Sequence, residues 1–448
     1  MRFWKDESGQ MLALLAISLS VLLVFMGFAV DVGLLFHAQR QVQIAADAAA
    51  TAAALDYQYN APAGTWNSAG LAAASANGMK DTSLGGTATV TISAPATGLY
   101  GSTNGIFLRA VVSEPNPTYF LKLASFGSIT VAARATAAIE VSNGCVWTLG
   151  TTGTDVNNTG SGSINVPKCE IYDDSSGGSA LSQTGSGSIT AAKIGVVGNF
   201  SKTGSGTITP TPIIGMKPVS DPLASLQAPT IPTGTCSPPL SAACNPSNSG
   251  TGSLPVSPGT YTSISNSGSG TVTLSPGNYI ITNDLTNNGS GTLTLGAGNY
   301  TIGGNFKNTG SASVNLGAGL YIVGGNLQLT GSGSMSGTGV SFYTEGATSV
   351  TGSGNVNISA PTSGAQNGIL FFQSHTDAST MAITGSGSMR LNGIVYAPDA
   401  QLDFTGSGSG MMNTDLVVKS LNITGSGSFS NYAALNTSSP LTTVVMVE

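Results

Sequence analysis

The chain has 448 residues, a formal net charge of −6, only 8% charged residues and 61 glycines. An acidic balance with no basic stripe argues against a nucleic-acid binder, which works by neutralising phosphates. Four cysteines and two histidines, with no C-x2-C spacing, argue against a zinc site.

From Met11 to Val30 the sequence is apolar-dominated, interrupted by Ser18 and Ser20. A helix of that length covers about 30 Å, the thickness of bilayer hydrocarbon, so the run predicts one membrane span. A secretory signal has a core of about 7–15 apolar residues and a turn-forming cleavage region. Here helix formers continue through Asp31, Gln39, Gln43 and the run from Ala45 to Leu55. The reading is a retained span within one helix reaching about Tyr57, on the order of 70 Å long. Arg2 and Lys5 precede the span and Arg40 follows it. The positive-inside bias then puts Met1 in the cytoplasm and the bulk in the periplasm or outside the cell. The cysteines fall in two close pairs, Cys145 with Cys169 and Cys236 with Cys244, as two disulfide loops in an oxidising compartment require.

Gly9-Gln10 before the span, Ala29-Val30-Asp31 and Gly33 at its end, then Arg40 and Ala45-Ala46-Asp47-Ala48-Ala49 stand in a specific order. This stretch resembles the N-terminal module of TadG-like proteins of the tight-adherence (Flp) pilus-assembly system. The resemblance implies inner-membrane anchoring and a place among pilus-assembly proteins. Two features of such systems do not carry over. The glutamate five residues after a prepilin cleavage glycine is Leu14 here. The D-x-S-x-S metal motif of a von Willebrand factor A domain is not matched by Asp173-Asp174-Ser175-Ser176-Gly177.

Between Gly85 and Val141 the pattern alternates with period two, in TATVTIS, GIFLRAVVSE and SITVAARATAAIEV, which predicts half-buried strands. Tyr119, Phe120, Leu121 and Leu123 fit a short helix or a further strand. Residues 61–143 thus read as a small α+β module, resembling the same family and loosely the pilins.

Beyond it the sequence repeats. Gly-Ser-Gly or a close variant begins at Gly268, Gly289, Gly310, Gly331, Gly352, Gly385, Gly406 and Gly425, mostly 21 residues apart, with earlier copies at Gly160, Gly185 and Gly204. A fixed period of this size marks a solenoid. Within the rungs Val272 and Leu274 recur as Leu293 and Leu295, then as Val314 and Leu316. Pairs two apart share one face of a strand. The pattern predicts a parallel β-helix, right-handed by the usual chirality of parallel crossovers, with an aliphatic interior. Tyr279, Tyr300, Tyr321, Phe342 and Tyr396 form its aromatic ladder. Eleven of the twenty prolines lie between Pro210 and Pro258, so 209–258 reads as an extended excursion pinned by Cys236 and Cys244.

Polysaccharide-cleaving β-helices need clustered carboxylates. Asp173 and Asp174 are adjacent and would face opposite ways; Glu345, Asp399 and Asp403 are scattered, and only His375 and Asp377 could share a face. The expectation is therefore a mainly β protein without catalytic, metal or cofactor sites. Its parts are a cytoplasmic tip and membrane helix (1–60), the α+β module (61–143), first rungs (144–208) closed by Cys145 and Cys169, the excursion (209–258) and a main β-helix (259–448). Its expected role is structural, in the cell envelope of a TadG-like pilus system, with the membrane, pilus-assembly proteins or envelope polysaccharide as partners. A solenoid adhesin without a pilus is the alternative, and a polysaccharide-acting enzyme the third reading.

Overall fold

The computed structural model describes residues 7–60, 64–94, 106–141, 144–237, 243–385, 389–406, 413–431 and 441–447. Arg2 and Lys5, which carry the orientation argument, lie outside them, as do parts of the Gly-Ser-Gly copies that begin at Gly385 and Gly406. The chain divides into two units, Met1–Glu140 with Thr442–Glu448, and Val141–Leu441.

The first unit is built on helix α1, Glu7–Asn60. Its two halves differ in what they bury. Leu12, Leu15, Phe25 and the other large apolar side chains of the first half are exposed, whereas Val42, Ala45, Ala46, Ala49, Ala50, Ala53 and Ala54 are fully buried. The latter positions follow helical spacing and form one stripe. Because the stripe is almost all alanine, α1 can lie close on an equally small-residue sheet face, which includes Leu108, Ala110, Val112, Ala133, Ala135 and Ala137. Helix α2, Trp66–Ala76, packs at Gly70, where a Cβ would stand 3.2 Å from the Ala49 carbonyl oxygen. Strands β1 (Thr89–Ser93), β2 (Ile106–Pro117) and β3 (Ser128–Val141) pair in order, β1 with β2 and β2 with β3 antiparallel. The fourth strand of this sheet is Thr442–Met446, placed beside β3. The module therefore needs residues from both sides of the solenoid, and the whole solenoid is an insertion between its third and fourth strands.

The second unit is a parallel β-solenoid of about 13 turns with about 21 residues per turn. Its interior is continuous. The Val272, Leu274 and Ile281 columns stack in register on Leu293, Leu295 and Ile302. Rows of cross-rung hydrogen bonds run the length of the stack. At the corners glycine is required by packing: a Cβ on Gly331 or Gly160 would stand about 2.4–2.5 Å from the carbonyl oxygen of Gly310 or Gly425 in the rung below, and both have positive φ.

The stacking order is not the sequence order. Leu416, Val417 and Val418 pair with Val146, Trp147 and Thr148, Leu421–Gly425 with Val156–Gly160, and Ser428–Ser430 with Ser163–Asn165, all parallel. Residues 144–209 therefore do not begin the solenoid but extend it beyond its last-synthesised rung. The Gly-Ser-Gly corners pass through this seam without a break, from Gly406 to Gly425 to Gly160 to Gly185 to Gly204. The opposite end is the rung that starts at Ser247, since Ser247–Asn248 pairs with Ser265–Asn266 and Ser253–Val256 with Thr271–Leu274. The main stack thus starts a dozen residues before the expected 259. Pro255 is accommodated there because an end strand has a partner on one side only.

Candidate functional site

The proline-rich segment resolves the topology. Having left the stack at one end, it must return to the other, and it does so along the outside of one face. Ile213 bridges Gly195 at the start and Ser237 bridges Thr260 at the finish. Between these points the strand register passes through Tyr172, Trp147, Val417, Tyr396, Phe372, Tyr343, Ile322, Thr301 and Ile280. Ten rung steps at about 4.8 Å make roughly 48 Å, and the intervening chain, extended at about 3.1 Å per residue, reaches roughly 74 Å. The slack is taken up by turns at Asp221–Leu226, where Ala224 N–H donates to the Asp221 carbonyl and Leu226 N–H to that of Leu223. Val219, Leu223, Leu226 and Ile231 pack on the outward apolar stripe, forming a second core outside the coil.

Both disulfides form. Cys236–Cys244, with 5.9 Å between Cα atoms, closes the bend from strap into the Ser247 rung. Cys145–Cys169, 5.7 Å between Cα atoms, joins two consecutive rungs in the interior next to the seam, not at a first turn.

Four of the five expected ladder residues stack inside. Ring centroids are 5.1 Å apart for Tyr279–Tyr300, 4.8 Å for Tyr300–Tyr321 and 5.1 Å for Tyr321–Phe342, with Phe371 continuing the column at 5.5 Å. Each tyrosine hydroxyl donates to a corner carbonyl, Ser275, Gly296 or Gly317. Tyr396 does not belong to this ladder. Its rung passes from Leu391 to Val395 in four residues where Leu274 to Tyr279 takes five, so Val395 takes the interior place and Tyr396 turns outward. A second interior ladder runs through asparagine. Asn266 Nδ2 donates to Asn287 Oδ1 at 3.0 Å and Asn287 Nδ2 to Asn308 Oδ1 at 2.7 Å.

Outward-facing Tyr396 makes a polar contact between strap and coil. Its hydroxyl donates to Asp221 Oδ2 at 2.7 Å and lies 3.1 Å from His375 Nε2, while His375 Nδ1 is 3.8 Å from Asp399 Oδ2. Burial pushes the Asp221 carboxyl above the usual range. Asp377 instead caps a turn, accepting from Ser379 N–H and Gln373 Nε2. Sequence reasoning paired His375 with Asp377 and missed Asp221, whose nearest signal was only a proline-rich context. A second acidic group lies next to the seam. Burial pushes Asp155 up to about 6, with Asp174 adding to it and Lys419 opposing. Burial pushes Asp173 up to about 7, offset by the Ser175 N–H and reinforced by Asp155 and Asp174. Among the described residues no three His, Cys, Asp or Glu side chains are arranged to hold a metal ion.

Elsewhere among the described residues, outward polar side chains are hydrogen-bonded from rung to rung, including Ser313–Ser334 at 3.3 Å, Asn315–Ser336 at 3.1 Å and Thr384–Thr405 at 2.7 Å. In the first unit, one helix among the described residues, Leu14–Gln58, is long and apolar enough to cross a membrane.

Residues 9–56 match the Flp pilus-assembly TadE/G-like family model, and residues 247–437 match a domain of unknown function (DUF7305). The second match starts at the end rung of the stack and leaves the 144–209 rungs outside it. No curated protein and no solved structure matches the chain.

Proposed function

We propose that this is a structural component of a Flp-type pilus-assembly apparatus, held in the cytoplasmic membrane by the first half of α1 with its N-terminus inside. The solenoid is then carried in the periplasm or outside the cell. The observation that carries the reading is the division of α1. An exposed apolar half is continuous with an alanine half locked into a sheet, within the segment that matches the TadE/G-like family. Two disulfides suit an oxidising compartment. The solenoid has no catalytic task in this reading. Strap, ladders and disulfides make it a stiff spacer, with Ser/Thr/Asn rows available to partner proteins.

Those same rows favour a second reading, a solenoid adhesin that binds envelope polysaccharide by hydrogen bonding and has no pilus partner. Affinity purification from gently solubilised membranes, with a tag after Glu448, separates the two. Recovery of pilus ATPase, platform or pilin subunits supports the assembly role. An intact membrane-bound bait that brings down only wall polymer overturns it in favour of the adhesin.

A further inference from the structure

The first unit carries a second apolar surface besides the helix. Between β2 and β3 the chain makes a short 3-10 helix, Leu121–Ala124, flanked by aromatic residues. Tyr119 is 66% exposed, Phe120 45%, Leu123 87% and Phe126 59%. Four large apolar side chains displayed on one loop of ten residues are not a normal water-facing turn. The loop is also fixed in place. Asp31, at the end of the apolar run of α1, is buried and accepts hydrogen bonds from the backbone N–H groups of Tyr119, Phe120 and Leu121, at 3.0, 2.8 and 2.6 Å. One helical turn earlier, Gly27 admits the Phe120 ring, where a Cβ would stand 2.5 Å away.

From this juxtaposition we infer that the 119–126 loop is a membrane foot, seated in the headgroup–acyl boundary of the bilayer beside the span. The inference rests on the proposed anchoring of α1. The occupant is lipid because the loop surface runs directly into the helix surface that the bilayer would cover: Phe120 touches Gly27, and Phe25 and Phe28 are exposed on that segment. Aromatic side chains favour this boundary. Exposed Lys122 on the same turn can reach phosphate groups while its stem stays among apolar neighbours. The clamp on Asp31 gives a carboxylate at the membrane edge three donors, without which it would be costly there. The foot would hold the helix and sheet at a set depth and angle.

Site-directed spin labelling of the full chain tests this. No free cysteine exists among the described residues to compete for label. Nitroxides are placed at Leu123→Cys and Phe126→Cys, with Leu19→Cys in the span and Asn67→Cys as references. Asn67 is exposed in the first turn of α2, next to Thr65, which bonds Asp56 about 37 Å along α1 from Asp31. The protein is reconstituted into nanodiscs of phosphatidylethanolamine and phosphatidylglycerol. The expected result is an oxygen-to-nickel-chelate accessibility ratio at 123 and 126 that lies below that at 19, near the middle of the span, and well above that at 67. Labels at 123 and 126 that read as water-exposed, while 19 reads as lipid, overturn the foot and leave the anchor standing. Labels shielded from both reagents mean that protein covers the loop, which also overturns it. A water-like reading at 19 removes the anchor and the foot together.

Discussion

Tyr396 donates its hydroxyl to Asp221 across 175 positions of sequence, at 2.7 Å, and so ties the strap to the middle of the face it crosses. Two residues earlier the strap is tied again, where Val219 N–H donates to Asp174 Oδ1 at 2.9 Å, and Leu223 and Leu226 add apolar contacts that set no register.

Tyr396→Phe keeps the ring and removes that bond. Hydrogen exchange at amides 219–231 should accelerate roughly tenfold, the equivalent of about 1.4 kcal/mol. Rungs on the far side of the coil should be unaffected. Unchanged exchange in the strap would show that its apolar contacts alone hold it.

The interior tyrosine ladder should fail locally. Tyr300→Ala removes a fully buried ring with neighbours stacked on both sides, at a cost of about 3–5 kcal/mol. Tyr300→Phe forfeits only the bond to the Gly296 carbonyl, about 1 kcal/mol. Since solenoid rungs couple mainly to their neighbours, lost protection should centre on residues 279–323. A uniform loss over the stack would contradict this.

Gly160→Ala probes the seam. The substitution forces φ of +112° on an alanine and sets its Cβ 2.5 Å from the Gly425 carbonyl oxygen. We expect a loss of at least about 2 kcal/mol in chemical unfolding. Gly178→Ala, whose Cβ would meet nothing within 4 Å, should be close to neutral.

The acidic group near the seam predicts the direction of a pH effect. Asp155, Asp173 and Asp174 titrate at about 6, 7 and 6 in the fold, against 3.8 when free. The folded state then holds protons that the unfolded chain has released. Their contribution is complete below about pH 4 and is lost as pH rises through 6 to 7. The solenoid should therefore melt higher at pH 5 than at pH 8. Asp173→Asn should flatten that slope and raise the melting temperature at pH 8, by the equivalent of about 4 kcal/mol. Some slope should survive through Asp415, pushed up to about 7 by burial. A wild-type melting temperature that rises from pH 5 to pH 8 would refute the assignment.

The coil was legible in the sequence because its period is carried by residues that must be what they are: Val272, Leu293 and Val314 inside, Gly268, Gly289 and Gly310 at corners. The order of the rungs was not. Corners at Gly160 and Gly425 read alike, so nothing local distinguishes a rung that starts the stack from one that extends it. The return path of the strap was hidden for a different reason. Its contacts, Leu223 on the outer stripe and Asp221 with Tyr396, lie far away in sequence and have no period. Tyr396 was misplaced because one missing corner residue after Leu391 reverses which strand residues face inward. The asparagine ladder was missed because Asn266, Asn287 and Asn308 look like surface residues, and only stacking makes them partners for one another.

The insertion of the coil between β3 and Thr442–Met446 sets a schedule for biogenesis. On the ribosome, α1, β1, β2 and β3 emerge early, yet their sheet has an open edge until nearly three hundred further residues have been made. The rung at 144–165, though paired with the rung that follows it, likewise has one side open until 413–430 are made. Truncation before residue 413 would then leave two unfinished surfaces, one in each unit, so that an incomplete chain exposes its own defect to proteases before it can be put to use.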